Sequence, residues 1–259
     1  MNRIIRNIPN AITCGNLFCG CLAIVKAFEG DLVWAAYLVG IAAILDFFDG
    51  FAARLLKVSS PIGKDLDSLA DMVTFGVVPG VVMYILILYS LRIGVNIPVE
   101  GAYCGRGNWT YHHPDYYAFI GFLIPVFSAI RLAKFNNDVR QTESFIGVNT
   151  PANSILICSL PLIIGTDYQS TAAAFILNPY LLVPLTICMS LLLVSELPLF
   201  SLKVKSFGWK GNEIRIMFLL FSLVLLVLFK FTGIPFVIVL YILMSVVNNL
   251  IKRSKKSIE

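Results

Sequence analysis

Charge is scarce in this sequence, and several residue types that carry chemistry in water-soluble enzymes are scarce with it. Of 259 residues only 14% are charged while 58% are hydrophobic, and the mean hydropathy is +0.83. A soluble domain carries about a quarter charged residues, so this composition excludes one and leaves an integral membrane protein. Histidine is confined to His112 and His113. That pair could bind a metal, but its place just before Pro114, in the polar segment 92–116, reads as a solvated turn. The six cysteines, Cys14, Cys19, Cys21, Cys104, Cys158 and Cys188, include no C-x-x-C pair and mostly fall in apolar runs. Packing is the better reading for them than a redox or metal role. No internal repeat, low-complexity tract or second domain interrupts the chain, which reads as a single membrane domain over 1–259.

What the sequence has in abundance is long apolar stretches. They lie near 11–28, 33–56, 67–91, 117–135, 152–166, 178–197, 214–230 and 233–250. Each approaches the ~20 residues that cross a ~30 Å hydrocarbon core, although 152–166 is short. The runs are continuous rather than alternating, which argues against a β-barrel, and lipid offers backbone groups no partner outside a helix. The expected fold is all-α, a polytopic membrane protein of about eight transmembrane helices. The opening MNRIIRNIPN is basic, as a signal peptide would be, but no small-residue cleavage site closes the run that follows, so it reads as a retained first span.

Sixteen of the twenty Lys and Arg residues, Arg54, Lys64, Arg131, Lys134 and Lys203 among them, fall on one side of these spans. Only Lys26, Arg92, Arg106 and Lys230 fall on the other. Basic residues mark the inner side of a membrane, so both chain ends are expected in the cytoplasm and the protein in the inner (cytoplasmic) membrane. The formal charge of +5 then reflects topology and attraction to anionic membrane lipids, and nucleic acid is not an expected partner.

Against this background the stretch DFFDGFAARLLKVSSPIGKDLDSLAD, residues 46–71, stands out, because it holds five of the fifteen acids in a tenth of the length. On a helix Asp46, Asp49, Gly50, Ala53 and Arg54 share one face. Asp67 and Asp71, four residues apart, share a face of the next helix. The linker KVSSPIGK, with Pro61 and Gly63 as turn residues, folds the two into a hairpin whose acidic faces can meet near the cytoplasmic mouth. Asp46 lies eight residues before Arg54, about 12 Å deeper at ~1.5 Å per residue, where an unpaired charge is costly.

Four converging acids cannot neutralise one another, and one arginine cannot neutralise four. Hard divalent cations would, since carboxylate oxygens are their preferred ligands. Two such ions about 4 Å apart recur in displacement at phosphorus. Gly50 and Ala53 leave room for a phosphate or nucleotide, and Arg54 can hold phosphate in a bidentate contact. Interhelical salt bridges are the plainer reading of these acids, and a cation-coupled transporter is the rival with a function, because intramembrane acids also mark ion pathways.

The pattern D46-x-x-D49-G50-x-x-A53-R54, eight residues, then G63-x-x-x-D67-x-x-x-D71, resembles the signature of the CDP-alcohol phosphotransferases at every fixed position. The segments IPNAITCGNLFCG at 8–20, GKDLDSLADMVTFGVVPG at 63–80, FSAIRLAKFN at 127–136 and SFIGVNTPANS at 144–154 resemble the membrane-embedded phosphatidylserine synthases within that family. Together they cover about the first 160 residues, with mild departures at Val78-Pro79-Gly80 and an enlarged outer loop.

The resemblance implies a six-helix core, about 1–200, with two additional helices at about 214–250. It also implies two bound ions, Mg²⁺ or Mn²⁺, and transfer of a phosphatidyl group from CDP-diacylglycerol to L-serine with release of CMP, in a homodimer. Asp46, Asp49, Asp67 and Asp71 would be metal ligands, and Asp71 also the general base. Gly50, Arg54 and Ser60 would contact the CDP portion, with Ala53 beside them, and Gly63 would keep the loop clear of the nucleotide.

Serine's carboxylate wants a cation near the metal site, and Arg131 and Lys134 stand one turn apart at the right end of the fourth span. They serve equally as positive-inside flanking residues. Asn10 and Thr13 could meet donor phosphate or ribose, or Pro9-Asn10 could simply start the helix. Other acceptors of the same family, glycerol 3-phosphate or an inositol phosphate, would bring a dianion and need more cationic side chains than this pair.

Overall fold

The computed structural model describes residues 3–58, 60–93, 116–137, 145–200 and 212–256. Most of the 92–116 loop, with Cys104, Arg106, His112 and His113, lies outside the described residues, as do Arg140, Lys203, Lys205 and Lys210.

The chain forms α1 (Arg3–Phe28), α2 (Leu32–Leu55) and α3 (Pro61–Asp71), then a π-helical turn (Met72–Val77) that leads into α4 (Val78–Ile93). A 3₁₀ segment, Tyr116–Phe122, enters α5 (Leu123–Asn137). Next come α6 (Thr150–Thr166), the short α7 (Thr171–Ile176), α8 (Pro179–Val194), α9 (Glu213–Phe229) and α10 (Gly233–Lys256). Among the described residues five helical stretches are long and apolar enough to cross a membrane, the last of them joining α9 and α10, and α6 and α8 are shorter apolar helices. The expected all-α membrane architecture is what the chain adopts. Two-residue strands, β1 (Phe145–Ile146) and β2 (Pro198–Leu199), pair antiparallel beside the helices.

Several helices begin earlier than the apolar runs do. The third starts at Pro61 rather than near 67, because Ser60 caps it: the Ser60 Oγ accepts the Gly63 N–H at 3.0 Å and proline occupies the first helical position. Asp31, Asn149, Ser170 and Asn178 cap α2, α6, α7 and α8 in the same manner.

The α1–α2 hairpin packs along its length through small side chains. Ala23, Ala27, Ala35 and Ala42 are fully buried, and small residues let helix backbones approach closely where lipid supplies no hydrophobic drive between helices. At Gly20 a Cβ would stand 2.4 Å from the Thr74 hydroxyl oxygen, so α1 rests directly on the π-helical turn. The centre belongs to α4, which touches α1, α2, α5, α6 and α8 and buries Val78, Val82, Met83, Leu86 and Ile87. The α9–α10 hairpin is peripheral, with α10 leaning on α6 and the Tyr241 hydroxyl donating to the Phe200 carbonyl at 2.9 Å.

Candidate active site

The hairpin of α2 and α3 brings three acids together. One carboxylate oxygen from each of Asp46, Asp49 and Asp67 lies within 4.8 Å of the others. Asp71, one turn beyond Asp67, meets Asp46 side chain to side chain and accepts from Asn16 Nδ2 at 3.5 Å. Asp65, the fifth acid of the stretch, is exposed.

A hydroxyl on α1 holds this group in register. The Thr13 Oγ1 donates to Asp49 Oδ2 at 2.7 Å and also lies 3.0 Å from the Pro9 carbonyl. Asn10, one turn earlier, faces α3, since a Cβ at Gly63 would stand 2.9 Å from Asn10 Oδ1 and 3.0 Å from Ser60 Oγ. A larger residue at 63 would have to displace the Asn10 and Ser60 side chains.

The cations of the neighbourhood do not pair with the acids. Arg54 is exposed and turns its Nε to the Gly50 carbonyl at 2.9 Å. The Lys26–Glu29 ion pair lies at the opposite end of α1. Among the described residues four acids therefore meet in a membrane-embedded bundle with no salt bridge to a cation, and their oxygen-only donor set suits a hard divalent ion. Beside them Gly50 opens onto free space, with nothing within 4 Å of where its Cβ would be, and Ala53 is half-buried.

On the side of α5, Arg131 is 6% exposed and feels the Asp71 charge, while Lys134 is exposed and takes no contact with the acids among the described residues. A polar clamp holds this end of α5 to α3. The Lys64 Nζ donates to the Asn136 carbonyl at 3.2 Å, and Asn136 Nδ2 donates to Ser68 Oγ at 2.8 Å. The described cysteines are free. Cys158 is buried, whereas Cys14, Cys21 and Cys188 are exposed.

The family model described as CDP-alcohol phosphatidyltransferase matches residues 6–105, the segment that carries all four acids. A CDP-diacylglycerol--serine O-phosphatidyltransferase of Bacillus subtilis is 34% identical over 191 residues, 73% of this chain and 88% of the relative. The chain belongs to the CDP-alcohol phosphatidyltransferase family. A family member from Helicobacter pylori with the same name as the Bacillus protein is 34% identical over 152 residues, 58% of this chain and 54% of the relative, so the chain spans about half of it. An archaetidylserine synthase of Methanothermobacter thermautotrophicus is 26% identical over 173 residues, 66% of this chain and 63% of the relative.

For this family member, reading the sequence singled out Asn10 and Thr13 on α1 but passed over Asn16, which is fully buried against Asp71. The signal was present, because three short polar side chains spaced by three mark one face of an otherwise apolar span. Ser68 and Asn136 were also missed, and nothing in their local sequence announces that they join two helices.

Proposed function

We propose that this phosphatidyltransferase moves the phosphatidyl group of CDP-diacylglycerol onto the hydroxyl of L-serine and releases CMP. The observation that carries the reading is the meeting of Asp46, Asp49 and Asp67 with Asp71 in a membrane-embedded hairpin, with no salt bridge to any of the four among the described residues. The serine named in the Bacillus subtilis and Helicobacter pylori relatives supports that acceptor.

Asp46, Asp49, Asp67 and Asp71 would hold two divalent ions, Mg²⁺ or Mn²⁺, which when bound supply positive charge against the diphosphate. The open side at Gly50 and Ala53 admits the cytidine diphosphate while the acyl chains stay in lipid, and exposed Arg54 is free to swing onto phosphate. Ser60 caps the first turn of α3, which holds Gly63, with Asn10 across from them, and these residues would meet the CDP portion. Thr13 keeps Asp49 aimed at the cluster.

Asp71 takes the proton of the serine hydroxyl. The oxygen forms its bond to the phosphorus that bears the lipid, and the bond from that phosphorus to the bridging oxygen breaks. CMP leaves with the bridging oxygen and the electron pair. Placing the hydroxyl beside a carboxylate lowers the barrier through proximity and proton transfer together. No cysteine or histidine joins the acids among the described residues, which favours a single displacement over a covalent intermediate. Arg131 would take the serine carboxylate, with exposed Lys134 nearer the mouth.

The excess of basic residues on the site's side favours a cytoplasmic face, and the family resemblance suggests a homodimer. The test is CMP release by purified protein given CDP-diacylglycerol, Mg²⁺ or Mn²⁺, and L-serine, glycerol 3-phosphate or inositol phosphate in parallel. Release with serine alone, abolished by chelation, is the expected result. Release with a different acceptor keeps the site and moves the substrate.

A further inference from the structure

Polar side chains that are buried without partners are rare in folded proteins, because each costs the desolvation of the group and returns nothing. Here they gather. Eight such atoms occur among the described residues, and six of them belong to Asn16, Ser128, Arg131, Thr150 and Asn153. All five residues are at most 6% exposed, and Asn153 has neither its amide oxygen nor its nitrogen engaged.

These residues stand on α1, α5 and α6, each of which touches the π-helical turn that follows Asp71. Asn16 contacts Asp71 itself and takes the Thr74 hydroxyl on its carbonyl at 3.3 Å. Ser128 sits where a Cβ on Gly76 would come within 3.2 Å of it, and Arg131 is one turn nearer the acids on the same helix. Thr150 and Asn153 occupy the first turn of α6. The Tyr168 hydroxyl, just past the end of α6, meets the Tyr89 hydroxyl, near the end of α4, at 2.7 Å, so the two helices run in the same direction and the first turn of α6 lies at the end where α6 touches the π-helical turn.

We propose that this group is the acceptor pocket, and that it selects a small zwitterion by pairing one guanidinium with two neutral carboxamides. Asn16 Oδ1 and Asn153 Oδ1 accept from the acceptor's ammonium, Arg131 receives its carboxylate, and its hydroxyl faces Asp71. A single buried cation balances a single carboxylate and leaves a phosphate dianion uncompensated. The inference rests on the phosphatidyl-transfer reading above and adds to it the residues that recognise the ammonium.

The test uses the full chain in proteoliposomes with CDP-diacylglycerol and Mg²⁺, measuring KM for L-serine and for CDP-diacylglycerol in wild type, Asn153→Ala, Asn16→Ala and Thr150→Val. Ser222→Ala on α9, distant from the pocket, serves as the control. Loss of a hydrogen bond to a charged group should raise KM for serine roughly tenfold or more in the two asparagine variants, with KM for CDP-diacylglycerol within twofold for Asn153→Ala. Two serine analogues separate the roles. The penalty of Asn153→Ala should persist with ethanolamine, which lacks the carboxylate, and vanish with 3-hydroxypropionate, which lacks the ammonium. An unchanged KM for serine in both asparagine variants, or an equal penalty with 3-hydroxypropionate, overturns the inference while wild-type turnover leaves the serine reading intact. A wild-type protein that releases no CMP with serine overturns both. Thr150→Val removes one hydroxyl at near-constant volume, so it carries the test if the asparagine variants fail to fold.

Discussion

The two ends of this chain deal with the bilayer in opposite ways. The α9–α10 hairpin turns Leu219, Leu220, Phe221, Leu223, Val224, Val227 and Leu228 outward and buries little beyond Phe218, Ser222, Ile238 and Ser245. The bundle of α1 to α6 instead buries Thr13, Asn16, Asp49, Thr74, Ser128, Arg131, Thr150 and Asn153. In water an exposed apolar face would demand a partner; in lipid it is the resting state, and buried polarity is what demands an explanation. The contrast assigns the chemistry to the first part of the chain before any reaction is named.

Substitutions along that gradient should differ in effect by orders of magnitude. Asp71→Asn should lower kcat roughly 10²–10⁴-fold, the range general-base catalysis contributes, while CDP-diacylglycerol still binds in an equilibrium assay. Near-normal turnover would remove Asp71 as the base. Asp49→Ala should abolish Mg²⁺-dependent CMP release, and metal-dependent turnover surviving in that variant would count against the acidic cluster as the ion site. Thr13→Val keeps the shape and deletes the hydroxyl on Asp49, so the Mg²⁺ concentration for half-maximal rate should rise about 10–100-fold. At the far end, Leu223→Ala should change thermal stability in detergent by no more than ~0.5 kcal/mol and leave CMP release untouched. A large loss there would mean that the hairpin contributes to the site and would break the comparison.

Much of this arrangement is legible in residue order, because helical spacing alone sets Asp46 and Asp49 on one face and Asp67 and Asp71 on another. The linker with Ser60, Pro61 and Gly63 states the turn that joins them. What hydropathy does not show is where a helix begins: α3 opens in a polar turn because its cap sits there, six residues before the apolar run. Nor does it separate Arg131 from Lys134. They are three residues apart, yet one is buried and the other exposed, a difference set by which neighbours pack on each face of α5. Asn153 was hidden for a related reason, since an amide in a short apolar helix is only meaningful once the helix beside it is known. The role of Gly63 needed the fold as well, since its tight neighbours, Asn10 and Ser60, include a residue 53 positions away.

The π-helical turn between Asp71 and α4 gives that rod an angular offset. Its closing bond, from the Val78 N–H to the Val73 carbonyl, spans five residues instead of four. One additional residue per turn sets everything beyond it back by about 100° around the axis, a full circle divided by 3.6. Beyond the offset the acids of α3 give way to α4, where Val78, Val82, Met83 and Ile87 are fully buried. The offset lets a single continuous rod present water chemistry at one end and a hydrocarbon interior at the other, each aimed in its own direction.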